Sequence, residues 1–405
     1  MQPKHILDGY RVLDITQHIA GPTVTRLMAE MGAEIIKVEM LPYGDPTRLG
    51  EFRRDKRSGI NVQQNRGKKS LCIDVKSEPG KKILKELVKE CDVVLENFAP
   101  GVIARLGLDW ETVKSIHPKV IMCSISAFGQ TGPLAELPGF DFIAQAYAGV
   151  TDLIGEPDSA PSIPGLALGD VSTGVHAASA IGYALLHRER TGEGQYLDIS
   201  LLDSYFHYHE MNVELVSLSK GETQPKRCGS YHDSIVPVGA FKAKEGYIMI
   251  IAHMQRHWEN LCGAIGKKEL FTEERFTDPK IRPKAKDEII VIIEEWLQEQ
   301  ESDAAAIAIL QEAHVPVAPV LTVKEAMEHP HMIERGTVRT IEDPILGEFQ
   351  IPGNPLRYSA FPDPLPLEAP FLGGHNTEIL TEILTYSDDE VATLEKDGIL
   401  REREY

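Results

Sequence analysis

Positive charge is scarce in this chain. Its 405 residues carry 42 Lys and Arg against 61 Asp and Glu, a formal net charge of −19. Nucleic acid and anionic membrane surfaces need extended basic patches, so neither is expected as the main partner. Any polyanionic ligand must then be met by a few local cations. Long apolar runs are also missing, and no segment approaches the roughly 20 residues needed to span a bilayer. The opening Met-Gln-Pro-Lys-His lacks the pattern of a secretory signal. Cysteine is sparse and odd in number: Cys72, Cys91, Cys123, Cys228 and Cys262 are dispersed, mostly in apolar strand-like runs. That usage suits free thiols in a reducing compartment, and no pair has the spacing of a zinc site. A soluble, cytoplasmic protein without a metal site is expected. Nucleotide fingerprints are absent as well. No Gly-x-Gly-x-x-Gly follows the first strand and no Walker sequence occurs, which argues against a standard dinucleotide or ATP site.

What the chain does have is alternation. Strand-like and helix-like segments follow one another through the first 125 residues: Arg11 to Ile15, Thr23 to Met31, Glu34 to Val38, Ser70 to Val75, Gly80 to Lys89, Asp92 to Glu96, a helix from Trp110, and a strand from Lys119 to Ser124. This order predicts an α/β fold with a largely parallel sheet wound by helices. Ligands of such sheets sit at the carboxyl ends of the strands, so the turns Thr16-Gln17-His18 and Glu96-Asn97-Phe98-Ala99-Pro100-Gly101 are candidate ligand loops. A long helical stretch through Tyr205 to Leu218 ends this region. The character then changes, with a hairpin pattern around Lys244-Glu-Gly246 and a helix from Lys284 to Glu301. The length favours two domains. The expected division is a large α/β domain over 1–220, a small α+β domain over 221–325, and a return segment over 326–405 that completes the large domain. That return includes the Pro-rich stretch Ile351 to Pro370 and a last helix from His375 to Leu384.

One carboxylate stands out. Asp170 follows Gly169 at the start of an Ala-rich helical segment from Ser172 to about Leu186. The free N–H groups and dipole of a helix start favour a charged carboxylate, so Asp170 is expected to be an anion at neutral pH and able to act as a nucleophile. An ordinary N-cap fits the same ten residues.

Six motifs widen the context: Asp14-Ile-Thr-Gln-His-Ile-Ala-Gly-Pro22, Gly32-Ala-Glu-Ile-Ile-Lys-Val-Glu39, Gly44-Asp45, Glu96-Asn-Phe-Ala-Pro-Gly101, Phe128-Gly-Gln-Thr-Gly-Pro133 and Gly169-Asp170. In this order and spacing the chain resembles the class III CoA-transferases, of the formyl-CoA transferase and succinyl-CoA:dicarboxylate type, from about Leu7 to the Leu372-Gly-Gly-His375 motif. The resemblance implies a Rossmann-like large domain and an interlocked homodimer, with a related second subunit as a further option. It implies transfer of CoA from an acyl-CoA to a small carboxylic acid, with CoA as substrate and no permanently bound cofactor. Asp170 becomes the nucleophile. The matching positions for a CoA cradle are Gln17, His18, Ile73, Asp74, Val75, Lys76, Asn97, Phe98, Ala99 and Arg105, together with Asp141; Lys76 and Arg105 suit phosphates and adenine. Met40-Leu41 stands where some relatives carry an Arg. Gly229, Ser230, Tyr231 and His232 fall where relatives have a loop that shields the intermediates, and His232, Arg227 and Ser230 are candidates for a second carboxylate on the acid. An ordinary turn fits that stretch equally well.

Two other readings stay open. α-Methylacyl-CoA racemases share the Gly-Asp motif but need an Asp and a His on opposite faces of the substrate, and their Gly-His-Asp pattern is here Gly139-Phe140-Asp141. Phenylalanine cannot exchange a proton. A non-catalytic CoA-binding subunit of a hetero-oligomer is the other reading, and the presence of Asp170 counts against it.

Overall fold

The computed structural model describes residues 5–402 and resolves two compact units. The first four residues, used above in judging the signal sequence, lie outside this range. Among the described residues, one unit comprises 5–150, 165–211 and 333–402, the other 151–164 and 212–332. Residues 151–164 therefore group with the second unit, although the sequence reading leaves them in the large domain. Their ties are local: Arg227 donates to the Asp152 carboxylate at 2.6 Å, and the Gly229 N–H donates to the Gly155 carbonyl.

In the larger unit the elements follow the order β1 (Arg11–Asp14), α1 (Ala20–Glu30), β2 (Glu34–Met40), β3 (Lys68–Ile73), α2 (Glu78–Glu90), β4 (Val93–Glu96), α3 (Trp110–Ile116), β5 (Ile121–Ser126), α4 (Asp141–Tyr147), α5 (Leu168–Thr191), β6 (Gln195–Ser200) and α6 (Leu201–Phe206). The six strands form one sheet in the order β3-β2-β1-β4-β5-β6, and every neighbouring pair is parallel. This is the doubly wound order in which ligands bind at the crevice between β1 and β4, where the winding reverses. Consecutive residues explain the two-sided cover. Leu13, Ile36 and Val94 enter one core with Leu84 and Leu87 of α2, while Val12, Ile35 and Val93 enter the other with Val24 of α1 and Ala177, Ile181 of α5. Helices α1 and α5 meet closely at Gly174, where a Cβ would lie 2.8 Å from the Ala20 carbonyl oxygen.

The helix expected through Tyr205 to Leu218 is two short helices instead, α6 and a second over Asn212–Leu218. His209 between them bonds the Ala148 carbonyl at 2.8 Å, a tertiary contact that interrupts the run. The smaller unit carries an antiparallel sheet of β7 (Val238–Lys242), β8 (Tyr247–Ile251) and β9 (Val317–Pro319) over Trp258, Phe276, Ile289 and Leu297. The hairpin at Lys244-Glu-Gly246 joins β7 to β8. The return segment holds a further antiparallel hairpin, β10 (Val338–Asp343) and β11 (Gly347–Pro352), that the sequence reading did not anticipate. All five cysteines are unpaired, and no helix among the described residues is long and apolar enough to cross a membrane.

A buried charge network runs from the carboxyl end of β1 through β2 to the first residue of β3. Asp14 accepts the Thr16 N–H and hydroxyl on one oxygen, and the Thr25 hydroxyl and Lys68 ammonium, at 3.1 Å, on the other. Lys37 donates to the Thr16 carbonyl at 2.8 Å and pairs with Asp45 at 3.0 Å; Glu39 holds Arg48 through two bonds. Asp14, Asp45 and Glu39 thus balance Lys37, Lys68 and Arg48. Burial alone would raise the Asp14 carboxyl, yet Lys37, Lys68 and the two threonines hold it well below the usual range. Lys68 is also lowered, to about 8, by burial that Asp14 only partly offsets, so here the shift disfavours the charged form. Replacing Asp14→Asn leaves two lysines under-compensated in the interior, and urea unfolding is expected to show a loss of about 3–5 kcal/mol. A loss below 1 kcal/mol would show that the network does not anchor the sheet.

Candidate active site

The turn after β1 is held from three sides. Thr16 is tied to Asp14, and the His18 N–H donates to Asp45 at 3.3 Å. His18 itself adopts a left-handed backbone with φ of 63°. Across the switch point, the Gln17 N–H donates to the Asn97 amide oxygen at 2.9 Å, and the Asn97 amide N–H donates back to the Gln17 carbonyl at 2.9 Å. This reciprocal pair joins the β1 turn to the β4 turn. Helix α1 follows at once, and no side chain caps its first turn. Its leading N–H groups are left for water or a ligand.

Asp170 reaches the same crevice from the opposite side. A cleft of about 220 Å³ is lined by Gln17, His18, Asn97, Ala127, Phe140 and Asp170, among others. Helix α5 begins at Leu168, four residues before the expected start, so Asp170 lies within its first turn. Gly169 is needed for space. A Cβ there would come within 2.2 Å of the Tyr205 ring. The Tyr205 hydroxyl accepts the Gly169 N–H at 2.9 Å and the Gln145 amide at 3.1 Å, and donates a short bond to Asp141. Asp141, in turn, accepts the Asp170 N–H at 3.1 Å on its other oxygen. Tyr205 and Gln145 were missed by the sequence reading, because neither stands in a motif.

The charge state of Asp170 differs from the expectation. Burial, reinforced by the Asp141 carboxylate, pushes its pKa up to about 7. The anion expected at neutral pH is thus less favoured than at an ordinary carboxylate. The helix start favours the anion by about 1 kcal/mol at most, too little to offset desolvation and a like charge together. Tyr205 is likewise raised, by burial and by its bond to Asp141.

The other expected residues are distributed. Gln17, His18, Asn97 and Asp170 meet in the cleft. Ile73, Asp74, Val75 and Lys76 form the turn after β3, with Ile73 and Val75 buried, the Lys76 N–H bonded to Asp74, and the Lys76 side chain exposed. Phe98 is buried and donates its N–H to Glu96, whereas Ala99 and Arg105 are exposed. None of these lines the Asp170 cleft. Asp141 is 7% exposed, and its two oxygens are occupied by Tyr205 and Asp170. That environment positions the nucleophile candidate and leaves little of Asp141 for a ligand. Gly229, Ser230, Tyr231 and His232 belong to the smaller unit. There Ser230 bonds Ala240, the Tyr231 hydroxyl donates to Glu294, and His232 Nδ1 accepts the N–H groups of Ser234 and Ile235. Arg227 is engaged by Asp152. No group of three or more His, Cys, Asp or Glu among the described residues is arranged to hold a metal ion.

Known proteins share this arrangement of elements. The family model for CoA-transferase family III matches residues 7–376. Human succinyl-CoA:glutarate CoA-transferase is 34% identical over 98% of this chain and 90% of its own length. Formyl-CoA:oxalate CoA-transferase of Rhodopseudomonas palustris is 34% identical over 97% of both chains. The crystal structure of a CAIB/BAIF family protein from Brucella suis superposes with a TM-score of 0.82 at 33% identity, covering 94% of this chain and 99% of that one. With the parallel sheet, the switch-point cleft and the ordered motifs, these matches establish that the chain belongs to CoA-transferase family III.

Proposed function

We propose that this enzyme moves CoA from an acyl-CoA such as succinyl-CoA to a dicarboxylic acid, with Asp170 as the covalent carrier. The observation that carries the reading is a partly buried carboxylate facing Gln17, His18 and Asn97 across a cleft at the sheet's switch point. An Asp170 oxygen attacks the thioester carbonyl and CoA leaves as the thiolate, giving a mixed anhydride. The thiolate then attacks the aspartyl carbonyl, releasing the donor acid and leaving CoA on Asp170 as a thioester. The acceptor carboxylate attacks that thioester, giving a second anhydride, and the thiolate returns to the acceptor's carbonyl. Each step exchanges one activated carbonyl for another, so water is the chief hazard and a partly dry cleft serves the chemistry. The uncapped first turn of α1, with Ala20 at the cleft wall, supplies N–H groups suited to a developing oxyanion. The names of the relatives support the substrate class, a CoA thioester and a dicarboxylate. Phe140 at the cleft edge speaks against proton exchange there.

Pairing of two chains is part of the same proposal. Phe142, Ile143, Tyr147, Val175, Tyr183 and Leu186 are exposed large apolar side chains on α4 and α5. A second copy of the chain would cover them. Light scattering at micromolar concentration is expected to give twice the chain mass; a monomer throughout would reject the pairing.

The transferase reading is tested by incubating the protein with succinyl-CoA and glutarate or oxalate. New acyl-CoA is expected from the parent and a loss of at least about a thousandfold from Asp170→Ala. Proton exchange at the α-carbon of a 2-methylacyl-CoA without any CoA exchange would sink the reading in favour of a racemase. The pH profile offers a second check. Attack needs the carboxylate, so kcat/KM should rise tenfold per pH unit below about 7 and level off above it. Removing the like charge by Asp141→Asn should move that inflection to lower pH.

Stability reports the same shift with the opposite sign. A carboxyl whose pKa is raised in the folded state costs no stability below its unfolded pKa of 3.8; the penalty builds as pH rises from there and is complete above about 7. Scaled down for partial exposure, the penalty is about 1–2 kcal/mol. Asp170→Asn is therefore expected to be more stable than the parent at pH 8 and indistinguishable from it at pH 4, by urea unfolding at each pH.

A further inference from the structure

Glu96 closes β4 one residue before Asn97, yet it does not line the cleft. Its side chain is buried at 1% exposure, and no cation among the described residues pairs with it. A buried carboxyl without a counter-ion is costly unless hydrogen bonds hold it to a task. The sheet register shows what stands around it. Glu96 lies beside Ser124 of β5, and Ser124 beside Asp198 of β6, so the three side chains form one row on the face that also carries Val94, Met122 and Tyr196.

Each carboxyl at an end of this row holds one loop. Glu96 accepts the Phe98 N–H at 2.8 Å and so closes the β4 turn around Asn97. Asp198 accepts the Gln130 N–H on both oxygens, at 3.2 and 3.0 Å, and fixes the loop after β5. Both loops reach the cleft, through Asn97 and Ala127. Burial, with a smaller push from Asp198, raises the Glu96 pKa to about 7 against the opposing pull of Ser124 and the Phe98 N–H. The other titratable groups beside it, Tyr196 and Cys123, are themselves raised and stay neutral.

We propose that Glu96 is a positioning residue for the thioester substrate, acting through the Phe98 N–H to hold the turn that presents Asn97 to the cleft. This role rests on the transferase reading above, in which Asn97 belongs to the CoA cradle. Its charge then sets how firmly the turn is held. A carboxylate is a stronger acceptor than a neutral carboxyl, so the turn tightens as pH rises through about 7. The Gln17–Asn97 pair passes the same constraint to the β1 turn.

Hydrogen exchange read by mass spectrometry on the full, ligand-free chain tests this hold directly. With rates corrected for the intrinsic effect of pH, the β1 and β4 turns should both lose about tenfold or more of their protection in Glu96→Leu. Glu96→Gln, whose amide oxygen still accepts the Phe98 N–H, should keep protection to within about threefold. From pH 6 to pH 8 protection should rise in the parent and stay level in Glu96→Gln. Should Glu96→Leu fail to fold, that pH comparison decides alone. In turnover, Glu96→Leu should raise KM for the acyl-CoA about tenfold with kcat within about twofold of the parent, and Glu96→Gln should restore KM. Unchanged protection in Glu96→Leu, level protection in the parent, or an equal rise in KM for both variants overturns the proposal. The exchange measurement needs no substrate, so a parent without transferase activity would reject the transferase reading while the hold of Glu96 on the turn is judged separately.

Discussion

The carboxylate of Asp14 is the point on which the ligand side of the larger unit depends. It ends β1, receives Thr16 and so starts the turn that carries Gln17 and His18, and through Thr25 and Lys68 ties that turn to α1 and β3. Three anions and three cations share one dry volume, and each is supported only while the others keep their charges. The network therefore acts less as a source of stability than as a template. It allows one geometry for the β1 turn, and the Gln17–Asn97 pair passes that geometry to the β4 turn across the switch point.

The carboxyl proposed as the nucleophile is held on a different principle. Asp170 has a like charge behind it and is largely buried, so its anion is disfavoured electrostatically rather than sterically. Forming an anhydride or a thioester removes that charge. The intermediates in the proposed cycle are thus relieved of a repulsion that the free carboxylate must carry, which favours acylation over release of the anion. Asp141 does this while also holding the Asp170 N–H, and Tyr205 keeps Asp141 in place by hydrogen bonding.

Much of the sheet was legible because its strands are buried on both faces and its helices alternate with them; Leu13, Ile36 and Val94 lie where the apolar runs put them. The cleft members Gln17, His18, Asn97 and Asp170 were legible too, through motif order at strand ends. What was hidden depends on tertiary contacts. The break at His207–Met211 comes from His209 bonding a carbonyl some sixty residues earlier in the chain, and no local Gly or Pro announces it. The raised pKa of Asp170 was not legible because the helix start is visible in sequence, whereas Asp141, 29 residues away, is not visible as a neighbour.

The contact between Gly169 and Tyr205 carries a consequence for how such a site can diverge. An alanine at 169 collides with the ring, and a smaller residue at 205 removes both the collision and the hydroxyl that steadies Asp141. Each change alone is harmful, while the two together restore space without restoring the hydrogen bond. Positions 169 and 205 are therefore epistatic, and an evolutionary path that abandons the tyrosine must pass through loss of control over Asp141 before the backbone beside Asp170 is free to vary.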